Sequence, residues 1–284
     1  MTYGKISGFS DEIDSNIITQ FEVLNKLNIS YFEPRGVDGK NISALTGEET
    51  LELKKKCEAY GIKASSIGSP IGKIKLSEDF SPHFETFKRV VETAHILDCE
   101  NIRIFSFFHE GGEWNDSERE EVITRLCKMI EYAKQNEVVL LHENEKDIYG
   151  DTAERCLDLM KTLYCDNFKA VFDPANFVQC GQETKKAFDT MKPYIEYMHI
   201  KDAKLSDGRV VPSGLGDGNL EYILTGLFKD GYNGFLSLEP HLGKFEGLDK
   251  LEVGDLMKGL PESGEGTFTL AYKALSQILE RIGL

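Results

Sequence analysis

The sequence predicts a (β/α)8 barrel spanning residues 1–284 as one domain, and three observations carry that expectation. Eight short apolar runs recur along the chain, amphipathic stretches with helical spacing separate them, and no linker or low-complexity segment interrupts the alternation. The runs cover residues 5–9, 29–33, 62–67, 101–107, 137–143, 168–173, 195–199 and 234–239. Each is rich in β-branched or aromatic residues, as strands buried on both faces must be. Strict strand–helix alternation with short links calls for parallel strands. Eight such units in 284 residues favour closure into a barrel over an open doubly wound sheet.

The intervening segments read as helices that bury one stripe. Phe21, Leu24 and Leu27 mark the first, and Phe84, Phe87, Val91, Ala94 and Ile96 the third. Val122, Leu126, Met129, Ile130 and Ala133 mark another, and Leu275, Ile278 and Leu279 the last. Asp14 and Ser117 are expected helix N-caps, the latter supported by Glu120 and Glu121. Gly61 and Gly231 stand where a left-handed residue ends a helix. The longest irregular stretches, 203–217 and 243–263, follow the seventh and eighth strands, where loops shape the mouth of a barrel.

Composition narrows the function classes. Hydrophobic residues at 40% and charged residues at 29% describe an ordinary soluble chain. No apolar run reaches the roughly 20 residues of a membrane span. The first residues lack a basic segment followed by an apolar one, so a cytoplasmic protein is expected. The net charge of −15 repels a phosphate backbone. The one basic cluster, Lys54, Lys55 and Lys56, reads as a solvated helix face, so no nucleic-acid partner is expected. Homo-oligomerisation stays open. Six scattered cysteines without a Cys-x-x-Cys pair read as reduced, mostly buried thiols.

The informative residues end strands five to eight: Glu143, Asp173, His199 and Glu239, spaced 30, 26 and 40 apart. Parallel barrel strands end on one rim, so these side chains can converge. Parity agrees, because Val139, Leu141 and Glu143 share a face, as do Val171 with Asp173, Tyr197 with His199 and Ser237 with Glu239. Three carboxylates and an imidazole suit one divalent metal, Mn²⁺ foremost, with Mg²⁺, Co²⁺ or Zn²⁺ compatible. An uncompensated cluster of three carboxylates over an apolar layer would be costly, and a dication removes that cost.

These residues and their neighbours (His199-Ile-Lys-Asp, Glu143-Asn, Glu239-Pro and Asp173-Pro-Ala-Asn) resemble the xylose-isomerase-like TIM-barrel superfamily. The branch is that of sugar-phosphate isomerases and epimerases, which includes ketose 3-epimerases and inosose dehydratases. The resemblance covers essentially the whole chain. It implies that Glu143 and Glu239 are metal-bound glutamates flanking a sugar substrate, with Asp173 and His199 as the remaining ligands. One departure stands out. Relatives often carry His three residues after the strand-six Asp, where this chain has Asn176, which argues against a multinuclear site.

The chemistry expected of such a site is proton abstraction beside a carbonyl, with one glutamate taking the proton and the other returning it. Return to the same carbon makes an epimerase, return to its neighbour an isomerase, and loss of a leaving group a lyase or dehydratase. The lyase is the alternative reading, on a keto-sugar or keto-glycoside. Substrate-binding candidates on the rim are Glu33, Arg35, Ser69, Lys73, His109, His142, Asn176, Lys201 and His241. Of these, His142 has the parity that faces the helices. The glycines from Gly214 to Gly218 could cradle a phosphate, although a plain loop is the simpler account. Trp114 reads as a loop residue or a lid over the sugar. An apurinic endonuclease, which shares the barrel, would need more histidines than the six present. A non-catalytic sugar-binding barrel would need no glutamate pair.

Overall fold

The computed structural model describes residues 5–242 and 263–284. The expected irregular stretch after the eighth strand therefore lies outside the described residues, apart from its last position, Ser263.

Eight parallel strands form the barrel: β1 (Lys5–Gly8), β2 (Tyr31–Phe32), β3 (Lys63–Ala64), β4 (Asn101–Ile104), β5 (Val139–Glu143), β6 (Phe168–Phe172), β7 (Ile195–Ile200) and β8 (Phe235–Leu238). β1 pairs with β8, and β7, β6, β5 and β4 follow in order around one six-stranded sheet. β2 and β3 form their own parallel pair. Backbone hydrogen bonds join the two parts. Glu33 N–H donates to Gly8 O at 2.8 Å, Ile67 N–H to Asn101 O at 2.8 Å, and Arg103 N–H to Ile67 O at 3.0 Å. The curled sheet is thereby closed, as the alternation predicted.

Around it lie α1 (Ile17–Lys26), α2 (Gly47–Tyr60), α3 (Phe80–Ile96), α4 (Asp116–Gln135), α5 (Ala153–Leu163), the short α6 (Pro174–Gln179), α7 (Thr184–Met191), α8 (Leu220–Lys229) and α9 (Gly264–Arg281). The predicted stripes are buried: Phe21 and Leu24 of α1, Phe87, Val91 and Ala94 of α3, Leu126 and Met129 of α4, and Leu275 and Ile278 of α9. Two cap expectations are corrected. Asn16, not Asp14, caps α1 by accepting from Ile18 and Thr19 N–H, while Asp14 accepts from Asn16 N–H at 2.7 Å. Asn115, not Ser117, caps α4 in a reciprocal pair with Glu118. In both, an amide side chain beside the expected cap has the reach to take the first free N–H groups. Gly61 does end α2, at φ 68°, and Gly231 follows α8 at φ 84°.

Inside the barrel Leu141, Val171 and Tyr197 form a compact layer flanked by Val139 and Phe235, separate from the large core between strands and helices. That layer is the floor beneath the mouth. The three lysines of α2 are indeed a charged face, with Lys54 paired to Asp98, Lys55 to Glu52 and Lys56 to Asp38. All six thiols are free, but only Cys57, Cys99 and Cys156 are buried, fewer than the composition suggested. No helix among the described residues is long and apolar enough to cross a membrane.

Candidate metal centre

Four consecutive strand ends each deliver one side chain above the inner layer. Glu143 ends β5, Asp173 follows β6 and caps α6, His199 lies one residue from the end of β7, and Glu239 follows β8. All four are buried, and one ligand atom from each lies within 4.8 Å of all the others. His199 Nδ1 stands 3.1 Å from Glu143 Oε1 and 3.4 Å from Glu239 Oε2. Neither ring nitrogen of His199 makes a well-angled hydrogen bond, nor does Asp173 Oδ2. Buried polar atoms in that condition are expensive. Converging lone pairs from three carboxylates and one imidazole are what a hard divalent cation requires, so the residues present fit the metal that the sequence implied.

Cationic and amide groups hold these ligands from behind. Arg103 Nη1 lies 3.1 Å from Glu143 Oε2, and Asn176 Nδ2 donates to Glu143 Oε1 at 3.1 Å. Lys201 Nζ lies 3.0 Å from Asp173 Oδ2 and 3.4 Å from Glu239 Oε2. Glu239 Oε1 is approached by His241 Nε2 at 3.1 Å and Arg35 Nη1 at 3.4 Å. Burial favours the neutral form of every carboxyl here, and its balance against the charged partners differs from one to the next. For Glu143, His199 and Arg103 outweigh burial and hold the carboxyl down at about 2. Lys201 and His241 outweigh it at Glu239, which stays well below the usual range. Asp173 is pushed up to about 7, because burial exceeds the pull of Lys201. At His199, Glu143 and Glu33 overcome burial and raise the imidazole well above its ordinary value. A site this eager to hold a proton among its carboxylates is one where a dication can take the proton's place.

The structure brings four expected rim residues, Arg35, Asn176, Lys201 and His241, against the cluster. Glu33 touches it differently, from beneath, with Oε2 at 3.3 Å from His199 Nε2. Lys73 lies 4.2 Å above the Phe105 ring and pairs with Glu145 at 3.0 Å, while Arg103 lies 4.7 Å over the same ring. Ser69 and His109 are not brought to the cluster. The Ser69 hydroxyl donates to Arg103 O at 2.5 Å. His109 stacks on Trp114 at 4.4 Å and pairs with Glu118 at 3.0 Å. Trp114 is itself wedged against Tyr149 at 5.1 Å, a packed wall residue rather than a free lid.

His142 as a substrate contact is corrected. Its parity turns it behind β5, where it is buried against Phe168 and Gly150, and burial lowers its imidazole to about 4. The glycine loop is corrected as a phosphate cradle. Gly214, Gly216 and Gly218 N–H groups all donate to the Asp202 carboxylate, at 2.8, 2.9 and 2.8 Å.

Sequence reasoning missed Arg103, Glu12 and Asp11. Arg103 had a signal: a single charge at inward parity within the apolar run 101–107. Glu12 had none, yet it is buried, accepts from His241 N–H at 2.7 Å and lies 3.4 Å from Arg35. Burial pushes its carboxyl to about 7 against His241 and Arg35. Asp11 pairs with Arg35 at 2.8 Å.

Comparison with known proteins adds three findings. A family model described as xylose isomerase-like TIM barrel matches residues 21–259. The 3-dehydroshikimate dehydratase of Bacillus anthracis is 24% identical over 159 residues, which are 56% of this chain and 57% of the dehydratase. The match thus spans little more than half of that relative. Among solved structures, D-psicose 3-epimerase with D-tagatose from Clostridium cellulolyticum H10 superposes with a TM-score of 0.77 at 17% identity, covering 99% of this chain and 100% of that one. The IOLI protein with a bound zinc atom gives 0.77 at 17% identity, covering 98% and 99%. At such identities the structures speak to the fold.

Proposed function

Because the chain belongs to the xylose isomerase-like TIM barrel family, we propose that it is a metal-dependent epimerase or isomerase of a keto-sugar or its phosphate. The observation that carries this reading is the pair of buried carboxylates that meet at His199 Nδ1, supplied by β5 and β8 and separated in the sheet by β6 and β7. Each has its own supporting donors, Arg103 and Asn176 for Glu143, and Arg35, Lys201 and His241 for Glu239. Two bases with independent supports can act on two faces of one substrate.

Glu143, Asp173, His199 and Glu239 would hold the ion, with Mn²⁺ the first choice and Mg²⁺, Co²⁺ or the Zn²⁺ of the IOLI neighbour also suited to these donors. When bound, the ion supplies Lewis-acid polarisation of the substrate carbonyl. The protein's own part is proton transfer. Turnover needs one glutamate ionised, to take the proton from the carbon next to the carbonyl, and the other protonated, to deliver its own proton, after which the two have exchanged states. Protonation of the enolised substrate from the other glutamate inverts that carbon, and protonation at the neighbouring carbon isomerises it. Burial of all four ligands keeps bulk water away while the substrate is enolised.

A second reading is favoured by the match to 3-dehydroshikimate dehydratase. The same proton removal, followed by loss of a β-hydroxyl as water, would make the enzyme a dehydratase. One experiment separates the two: metal-loaded protein is incubated in D2O with keto-sugars and with cyclic keto-acids while proton NMR follows exchange and product. Deuterium uptake with all oxygens retained supports the epimerase, and water loss supports the dehydratase. Glu143→Gln and Glu239→Gln should each slow turnover about 10²–10⁴-fold. Full exchange in both variants, or in demonstrably metal-free protein, would exclude the proposal.

A further inference from the structure

We infer that Glu33 is a positioning residue for the metal centre, an ion-pair partner at His199 Nε2 that leaves Nδ1 facing the three carboxylates. The inference rests on the reading that the centre holds a divalent ion. Nδ1 and Nε2 lie on different edges of an imidazole, and here they meet different groups. Nδ1 meets Glu143 and Glu239, whereas Nε2 meets Glu33 Oε2 at 3.3 Å. Glu33 is therefore on the far side of the ring from the candidate ligands, which sets it apart from a substrate contact.

Glu33 is fully buried, and among the described residues His199 is the one ionisable base within ion-pair range of it. A carboxylate kept dry without a cation needs a strong reason to stay there. Its own orientation is fixed from two neighbouring strands. Tyr197 OH donates to Oε2 at 3.0 Å and Ser237 Oγ at 2.7 Å. Tyr197 is tied in turn to Ser65 at 2.8 Å, and Ser65 to Ser7 at 2.6 Å. Phe9 and Tyr197 press edge-on against the imidazole at 5.1 and 5.8 Å. The ring is thus held by two aromatic walls, and the carboxylate selects which nitrogen carries the hydrogen, the arrangement that raises a ligating imidazole's basicity and fixes its tautomer.

Glu33→Gln tests this, because glutamine keeps the size and an acceptor for Tyr197 and Ser237 while removing the charge. Zn²⁺ affinity, measured by chelator competition, should fall about tenfold to a hundredfold with the metal-free melting temperature little changed. A dissociation constant within twofold of wild type would overturn the inference. Should Glu33→Gln fail to fold, Tyr197→Phe removes one donor holding the carboxylate and should weaken Zn²⁺ binding severalfold; unchanged affinity there would count equally against it. Nitrogen-15 NMR of labelled histidine supplies a readout independent of metal uptake. In wild type, His199 should show a slowly exchanging, downfield Nε2–H proton with or without Zn²⁺. A bare Nε2 would sink the inference, whereas wild-type protein that takes up no metal yet keeps this proton would sink the metal reading alone.

Discussion

Arg103 shows how one side chain can decide the character of this site. Its guanidinium is buried between the rings of Phe9 and Phe105, at 5.1 and 4.7 Å, with Nη1 on Glu143 and Nη2 donating to Ser69 O at 3.2 Å. Arg103→Met would leave the Glu143 carboxylate dry and short of a partner, a change that costs roughly 3–5 kcal/mol when a buried pair is broken. Chemical denaturation of metal-free protein should register that loss, and Arg103→Lys, which keeps charge but not the fork, should fall between. Equal stability of all three proteins would refute the assignment. His142 makes a different contribution. Its folded value of about 4 lies below the ordinary 6.5, so the unfolded chain binds the extra proton first. The neutral ring is fully tolerated above about pH 6.5, and stability falls as pH drops toward 4. Between pH 7 and 5 this one group should cost about 2 kcal/mol. His142→Leu should flatten the denaturation profile by that amount, and a parallel profile would count against the explanation.

At the scale of elements, the loop after β7 is organised by one carboxylate. Asp202 accepts from the N–H groups of Ala203, Gly214, Gly216 and Gly218, so a stretch that looked irregular in sequence is pinned at its base. Glycine is required where the backbone closes in. A Cβ on Gly216 would stand 2.1 Å from Asp202 Oδ1 and 2.6 Å from Ala203 O. Lys201, the residue before Asp202, holds Asp173 and Glu239, so a loosened loop should be felt at the centre. Asp202→Asn replaces one acceptor oxygen by a donor and should cost about 1–3 kcal/mol. Limited proteolysis should then cut within 203–217 faster than in wild type. Unaltered cleavage and stability would show that the loop does not depend on this carboxylate.

At the scale of the whole molecule, an ion bound at the barrel mouth would tie together strands β5 to β8 in the native state alone. Ligand at one hundred times its dissociation constant stabilises by about 2.7 kcal/mol, which for a chain of this size raises the melting temperature by roughly 5 °C. Thermal melts after chelation and after adding Mn²⁺, Co²⁺, Zn²⁺ or Mg²⁺ measure this, and no rise with any of the four would contradict the metal reading. We also propose that the acidic surface, with its net charge of −15, has no use for nucleic acid. Retention on duplex DNA at low salt would disprove that.

The barrel, the order of its strands along the chain and the convergence of the four candidate ligands were legible without coordinates. The reason is that they depend on short periods. Alternation of two along a strand and of about 3.6 along a helix declares which face is buried, and the parity that placed Glu143, Asp173, His199 and Glu239 at one mouth also turned His142 toward the helices. The surroundings of those ligands depend on contacts between distant parts of the chain, such as Arg35 with Glu239 and Ser237 with Glu33, each 204 residues apart. No local pattern encodes which loop folds over which strand end. Glu12 carried no signal in the sequence, and Glu33 and His109 both read as substrate-binding candidates on the rim, until the third dimension set their partners. Sequence periodicity determined where the chemistry sits; tertiary packing decided which charges are buried there and what each one holds.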